Sequence, residues 1–185
     1  MANRCVPVGG DPVLSDTTRI VLRPSGMAMV SSSQNAEPPV LAPAFTFGSR
    51  VIGSAALYLR FEPRWRSARR VDAAFLLLDP MPGSLPSTTD VPIEAWRVGA
   101  EWDGASLTWL DKPALLPPQS QALARSTPPS RLRIDVTEIV RYLKEHPRSD
   151  RGLALKAPAM DAAGASFSSG SSGGEGPRLE LYVQL

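Results

Sequence analysis

Glu62-Pro63-Arg64-Trp65-Arg66-Ser67-Ala68-Arg69-Arg70 sets four arginines and a tryptophan between two apolar runs. Guanidinium forks match planar anions such as uronate carboxylates or phosphates, and an indole beside them adds a flat apolar face. Pro63 cannot donate to a strand ladder, and unpaired guanidinium groups are costly to bury, so the segment reads as an exposed connection. Arg64, Trp65, Arg66, Arg69 and Arg70 are therefore the candidate binding surface for an acidic ligand. The plainer alternative leaves the arginines solvated and folds Trp65 back onto the sheet.

Catalytic sets are weaker. Gly170-Ser171-Ser172-Gly173-Gly174 spells a nucleophile elbow, but that motif needs a strand before it, a helix after it, and an acid and a histidine further on. Here a strand follows, and the single histidine, His146, lies upstream. One histidine and one cysteine exclude a zinc site built from those ligands. Asp135 and Glu138 have the spacing of a helix cap rather than of a catalytic pair. Asp103, Asp111, Asp150 and Asp161 stand in separate turns without the grouping of a calcium loop; a sandwich gathers such ligands from distant loops, so structural calcium is left open and no cofactor is required. Trp96, Trp102 and Trp109 could stack on pyranose rings, although core packing is the better reading for Trp102 and Trp109. Arg60 is expected to pair with a carboxylate such as Asp135 inside the fold.

The elements that must position these residues are short strands. Leu57, Leu59 and Phe61 alternate with Ala56, Tyr58 and Arg60, and Val71 to Leu78 becomes apolar on both faces, the mark of a strand entering the middle of a sheet. We expect these two runs to form a long antiparallel pair with the basic segment at its tip. Further strands are expected at 18–24, 27–30, 41–47 (an edge, because of Pro43), 91–98, 131–136, 152–156, 165–168 and 178–183. Ser31 to Pro39 reads as a polar loop, 79–90 as a surface crossover, 111–129 as a proline-rich connection and 169–176 as a Gly/Ser loop. One helix is expected at about 137–146, with Ile139, Val140 and Leu143 as its apolar stripe and Pro147 as its stop.

Nineteen prolines and fourteen glycines in 185 residues suit many short strands better than long helices. A chain of this length buries roughly 70% of its unfolded surface, enough for a core without staples. The expectation is an all-β, two-sheet antiparallel sandwich of jelly-roll type, formed by 18–185 after a flexible arm, 1–17. The net charge is only +2, so no nucleic-acid partner is indicated globally. No run approaches the roughly 20 apolar residues of a spanning helix, and the first residues lack a secretory h-region. A soluble, leaderless chain is the expectation from that stretch.

The order of pieces resembles the DNRLRE-type domain, a β-sandwich group that includes alginate-binding carbohydrate modules. The resemblance rests on Tyr58-Leu59-Arg60-Phe61, the Ala74 to Leu78 strand, Trp102 with Leu107-Thr108-Trp109 and Pro113, Ile134-Asp135-Val136-Thr137, Arg151-Gly152-Leu153, Phe167-Ser168-Ser169 and Pro177-Arg178-Leu179-Glu180-Leu181, and runs from about Ile20 to Val183. It implies a jelly-roll fold and a non-catalytic module, usually extracellular, that binds polysaccharide or serves as a structural unit. Two readings follow: a binding module for an acidic polysaccharide, or a structural subunit of a coat, shell or other assembly. An enzyme would need convergent titratable groups in a pocket, and the sequence shows no such set.

Overall fold

Apolar residues at alternate positions underlie most of the eleven strands seen among the described residues. In chain order these are Thr17–Leu22 (β1), Pro24–Ser31 (β2), Ala44–Phe47 (β3), Ala55–Phe61 (β4), Arg70–Leu78 (β5), Val91–Val98 (β6), Leu115–Ala124 (β7), Leu132–Asp135 (β8), Leu153–Lys156 (β9), Ala165–Ser168 (β10) and Arg178–Gln184 (β11), with the α-helix Thr137–Glu145 (α1) after β8. The structure is a computed structural model and describes residues 17–37, 42–84, 89–126, 128–158, 160, 163–171 and 175–185. The expected arm up to Asp16 and the end of the elbow motif, 172–174, lie outside the described residues.

The strands form two antiparallel layers, β1-β11-β5-β8 and β2-β4-β9-β6-β7. β3 and β10 pair with each other, and β10 extends the first layer: Ser168 donates from its N–H to the Asp79 carbonyl at 2.9 Å, and Met81 to the Ser166 carbonyl at 3.0 Å. Thus 79–81, expected to be a surface crossover, continues the sheet. Between the layers Leu57, Leu59, Ile93, Leu153 and Leu155 meet Ala74, Leu76, Leu78, Ile134, Leu179 and Leu181, with Phe45, Phe47 and Phe167 filling one end. The protein is an all-β sandwich with one α-helix among the described residues, as its composition and periodicity predict.

The expected β4–β5 hairpin is corrected. β4 lies between β2 and β9, whereas β5 lies between β11 and β8 in the opposite layer. Both strands are apolar on both faces, so each is stabilised by a ladder partner on either side and by cover above and below. For β4, Leu57, Leu59 and Phe61 enter the main core, while Ala56 and Tyr58 enter a second cluster under the segment 99–114. There Trp102 tilts against Tyr58 at 5.7 Å and donates from Nε1 to the Arg151 carbonyl at 2.8 Å, and the Tyr58 hydroxyl donates to the Pro113 carbonyl at 3.1 Å. Trp102 is a core residue, as expected, Leu107 joins it, and Trp109, expected there too, is only half-buried against the same cluster.

The segment 111–129 is also corrected, because ten of its residues form β7 at the end of its sheet. The register passes from Trp96 opposite Gln119 to Arg97 opposite Leu116, leaving Pro117 and Pro118 as the extra residues of an irregularity. Proline is tolerated at such an edge because its missing donor has no ladder to serve. Arg60 departs from expectation too: it donates to Glu101 and to the Trp102 carbonyl instead of meeting Asp135. Asp135 accepts from the Thr137 N–H at 2.9 Å at the head of α1, and Glu138 turns to Arg141 instead of completing a capping box. Thr137 bolts this helix end to β5 by accepting the Ala74 N–H at 2.9 Å. Gly152, with φ of +87°, is required where β9 begins, since a Cβ there would lie 2.2 Å from the Leu59 carbonyl oxygen.

Trp65, on the crossover from β4 to β5, is only 2% exposed and belongs to the main core, while its Nε1 has no hydrogen-bond partner among the described residues. Truncation to alanine removes a large buried side chain and is expected to cost about 3–5 kcal/mol. Trp65→Phe loses less volume and also removes the orphaned donor, whose desolvation costs about 1–3 kcal/mol, so its loss is expected to be well below that of Trp65→Ala. Urea unfolding of both variants checks this; equal losses would contradict the assigned burial.

Candidate functional site

The crossover between layers is short and strongly patterned. Arg64–Ser67 is a 3-10 turn, closed by Arg66 N–H to the Pro63 carbonyl and Ala68 N–H to the Trp65 carbonyl, both 3.1 Å. Side chains three apart eclipse in such a turn, so Trp65 and Ala68 share the buried side and Arg64, Arg66 and Ser67 take the outer one. Trp65 is therefore withdrawn from the candidate binding surface: the indole is the anchor that holds the crossover against the core.

The four arginines divide by the company they keep. Arg64 is held by Glu62 at 2.9 Å on the surface. Arg66 reaches Asp150 at 2.8 Å and the Pro147 carbonyl at 3.2 Å, tying the crossover to the turn after α1. Arg70 pairs with Asp72 at 2.5 Å. Arg69 is exposed, its backbone N–H donates to the Gln184 carbonyl at 2.7 Å, and its guanidinium has no partner among the described residues. The structure thus separates Arg64 and Arg66 from Arg69 and Arg70.

Arg69 and Arg70 line an open groove of about 500 Å³ with Val71, Arg141, Lys144 and Glu145. Arg141 is positioned by three contacts: Nε to the Val71 carbonyl at 3.0 Å, Nη2 to the Asp72 carbonyl at 2.9 Å and Nη1 to Glu138 at 2.8 Å. Lys144, one turn on, is half-buried and carries no ion pair among the described residues. Four cations against one carboxylate make the lining electropositive, with Asp72 and Glu138 engaged at its margin. Such a surface attracts extended anions, and nothing in it encloses a small molecule. Sequence reading missed Arg141 and Lys144. Arg141 falls opposite the stripe of Ile139, Val140 and Leu143 and Lys144 on its flank, but their closeness to Arg69 comes from the docking of α1 on β5.

Three of the turn aspartates are engaged locally. Asp103 accepts from Ala105 and Ser106 within its own turn, Asp111 from Thr108, and Asp150 from Gly152 and Arg66, while Asp161 lies outside the described residues. Among the described residues no three acidic, histidine or cysteine side chains gather where an ion could sit. His146 is exposed and stacks on Tyr142 at 4.2 Å. Trp96 and Trp109 are both half-buried, with the ammonium of Lys156 4.9 Å from the centre of one ring and that of Lys112 3.7 Å from the other. Burial lowers the Lys112 pKa.

Several carboxylates are held below their ordinary range by arginines and main-chain donors. For Asp79 burial pushes upward but is outweighed by Arg131 and Arg178; Arg178 Nη1 lies 2.9 Å from Asp79 Oδ2 as an ion contact, off hydrogen-bond alignment. Glu180 is likewise pushed up by burial and brought down further by Arg19, Asp72 is lowered first by Arg70, and Asp90 first by the Ser126 N–H. A depressed folded pKa adds stability that is present above the unfolded value, about 4, and is lost as pH falls through the folded one. The thermal midpoint is therefore expected to decline on acidification below about pH 4, with a shallower decline in Asp79→Asn. A midpoint that stays level in strong acid would refute the pairing.

A scan of protein-family models and a search of curated proteins both return no match to this chain.

Proposed function

We propose that this chain is a non-catalytic sandwich module similar to the DNRLRE-type, jelly-roll carbohydrate-binding domains, and that it binds an acidic polysaccharide along the groove between the crossover and α1. The observation that carries this reading is the pair Arg69 and Lys144, two cations without ion partners among the described residues on the walls of one open groove. Arg64, Arg66, Arg70 and Arg141 are each paired with a nearby carboxylate, whereas these two are not among the described residues and share one groove. Charge left unmatched beside a trough suits a ligand that brings repeated carboxylates, with Arg70 and Arg141 preorganised by Asp72, the Val71 and Asp72 carbonyls and Glu138 to add further donors. The groove is shallow, which fits a polymer chain lying across it. The indole expected in the site lies instead in the main core.

Retention on immobilised alginate is the test. Binding is expected to weaken as salt shortens the reach of charge. Arg69→Ala with Lys144→Ala is expected to weaken it about tenfold or more, whereas Arg64→Ala, whose guanidinium is already taken by Glu62, leaves it unchanged. Equal retention of the double variant and the parent would end the proposal, as would single-stranded DNA binding as well as alginate.

A further inference from the structure

β2 and β3 each have one ladder partner, β4 and β10, so each keeps an open edge among the described residues. The groups on those edges follow from parity. Ser169 donates its N–H to the Pro43 carbonyl at 3.0 Å, in register with the β3–β10 pair. Alternate residues of an antiparallel ladder bond the same neighbour, so Phe45 and Phe47 also turn their backbone groups to β10, and Ala44 and Thr46 turn theirs away. The facing strand agrees: Ser166 and Ser168, opposite Thr46 and Ala44, bond to Met81 and Asp79. By the same count, the Ser32 N–H on the Ser54 carbonyl at 2.8 Å assigns Ala28 and Val30 to β4 and directs Met29 and Ser31 outward.

All four outward residues line one cleft of about 340 Å³, with Phe45 and Ile52 among its other walls and no charged residue among the described residues of its lining. Among the described residues their backbone N–H and carbonyl groups have no hydrogen-bond partner. Sheets ordinarily block such edges with charge, because an open edge is a template for another strand. The cleft lies at the opposite end of β4 from the basic crossover, since Ser31 faces Ala55 while Pro24 faces Phe61.

We propose that this cleft is a docking site for an extended, uncharged strand of a partner protein, apolar at alternate positions, which adds to the open edge of β3. Two rows of donors and acceptors at strand spacing are matched by another backbone and not by a helix, whose own groups are already paired. The uncharged lining excludes a charged occupant, so this site is separate in kind from the anion groove and does not depend on it.

The test uses the full chain and a short, end-capped peptide of alternating valine and threonine, read by NMR-detected amide exchange. Saturating peptide is expected to slow exchange at Ala44 and Thr46 about tenfold or more, while Phe45 and Phe47, already bonded, do not change. Thr46→Pro removes an outward N–H and leaves the backbone bonds to β10 in place, losing only the hydroxyl contact with Ser166, and is expected to weaken binding about tenfold. Should that variant not fold, the same peptide N-methylated along its β3-facing edge is expected not to bind the unmodified chain. Unchanged exchange at Ala44 and Thr46, or equal binding of the methylated peptide, would overturn the site. Protection of those amides that rises with protein concentration and no peptide would overturn the assigned partner in favour of a second copy.

Discussion

The burial of Trp65 between the layers is the constraint on which the rest of the architecture depends. The chain leaves one sheet at Phe61 and enters the other at Arg70, and so brief a passage needs something that ties it to the core. An indole in the main cluster supplies that tie, with Ala68 beside it on the same side of the 3-10 turn. A buried aromatic of this size contributes more than any surface ion pair on the crossover, since exposed pairs such as Arg64–Glu62 are worth little. Because the indole faces inward, the arginines are forced outward. The basic surface is thus a consequence of how the crossover is anchored.

The same division of labour recurs on the outer faces. The five-stranded layer covers its exterior with the segment 99–114, whose Trp102 and Leu107 make a second, smaller core on Tyr58, Ala56 and Ala154. The four-stranded layer instead paves its exterior with side chains. Arg133 lies over Phe75 at 3.4 Å, Phe75 meets Tyr182 edge-on, and Glu180 is engaged by Arg19 and the Tyr182 hydroxyl. Leu77, on that face, is buried under the pavement between its cross-strand neighbours Arg178 and Arg133. Many arginines that look available in the sequence are therefore building material; what distinguishes Arg69 and Lys144 is that both lack an ion pair among the described residues and line the same groove.

Much of the fold is legible in the chain because alternation has a local cause: side chains of an extended backbone point to opposite faces, whatever the partner strand. Ten of the eleven strands and the helix fall where alternation, proline and glycine place them. β7 escapes because its prolines mimic a connection, and at an edge that chemistry costs nothing. The hairpin assigned to β4 and β5 fails for a different reason. A short polar connection between two strands is the same string of residues whether the chain turns back within a sheet or steps across to the facing one. The difference lies in whether Trp65 points inward, and a residue that is apolar on one side and polar at its tip reads either way.

The candidate site divides along the same line. The sequence by itself determined a sandwich-forming alternation, a helix with an apolar stripe, and a cluster of cations beside a tryptophan, since each depends on neighbours a few residues apart. Only the tertiary structure decided that the tryptophan is an anchor, that Arg64 and Arg66 are neutralised, and that Arg69 and Arg70 share a groove with Arg141 and Lys144 from a helix some seventy positions away. It also decided which strand edges lack a partner among the described residues, because a ladder's parity has no meaning until its partner is chosen. Ion pairing, burial and open edges are relations between segments, and local pattern carries no record of them.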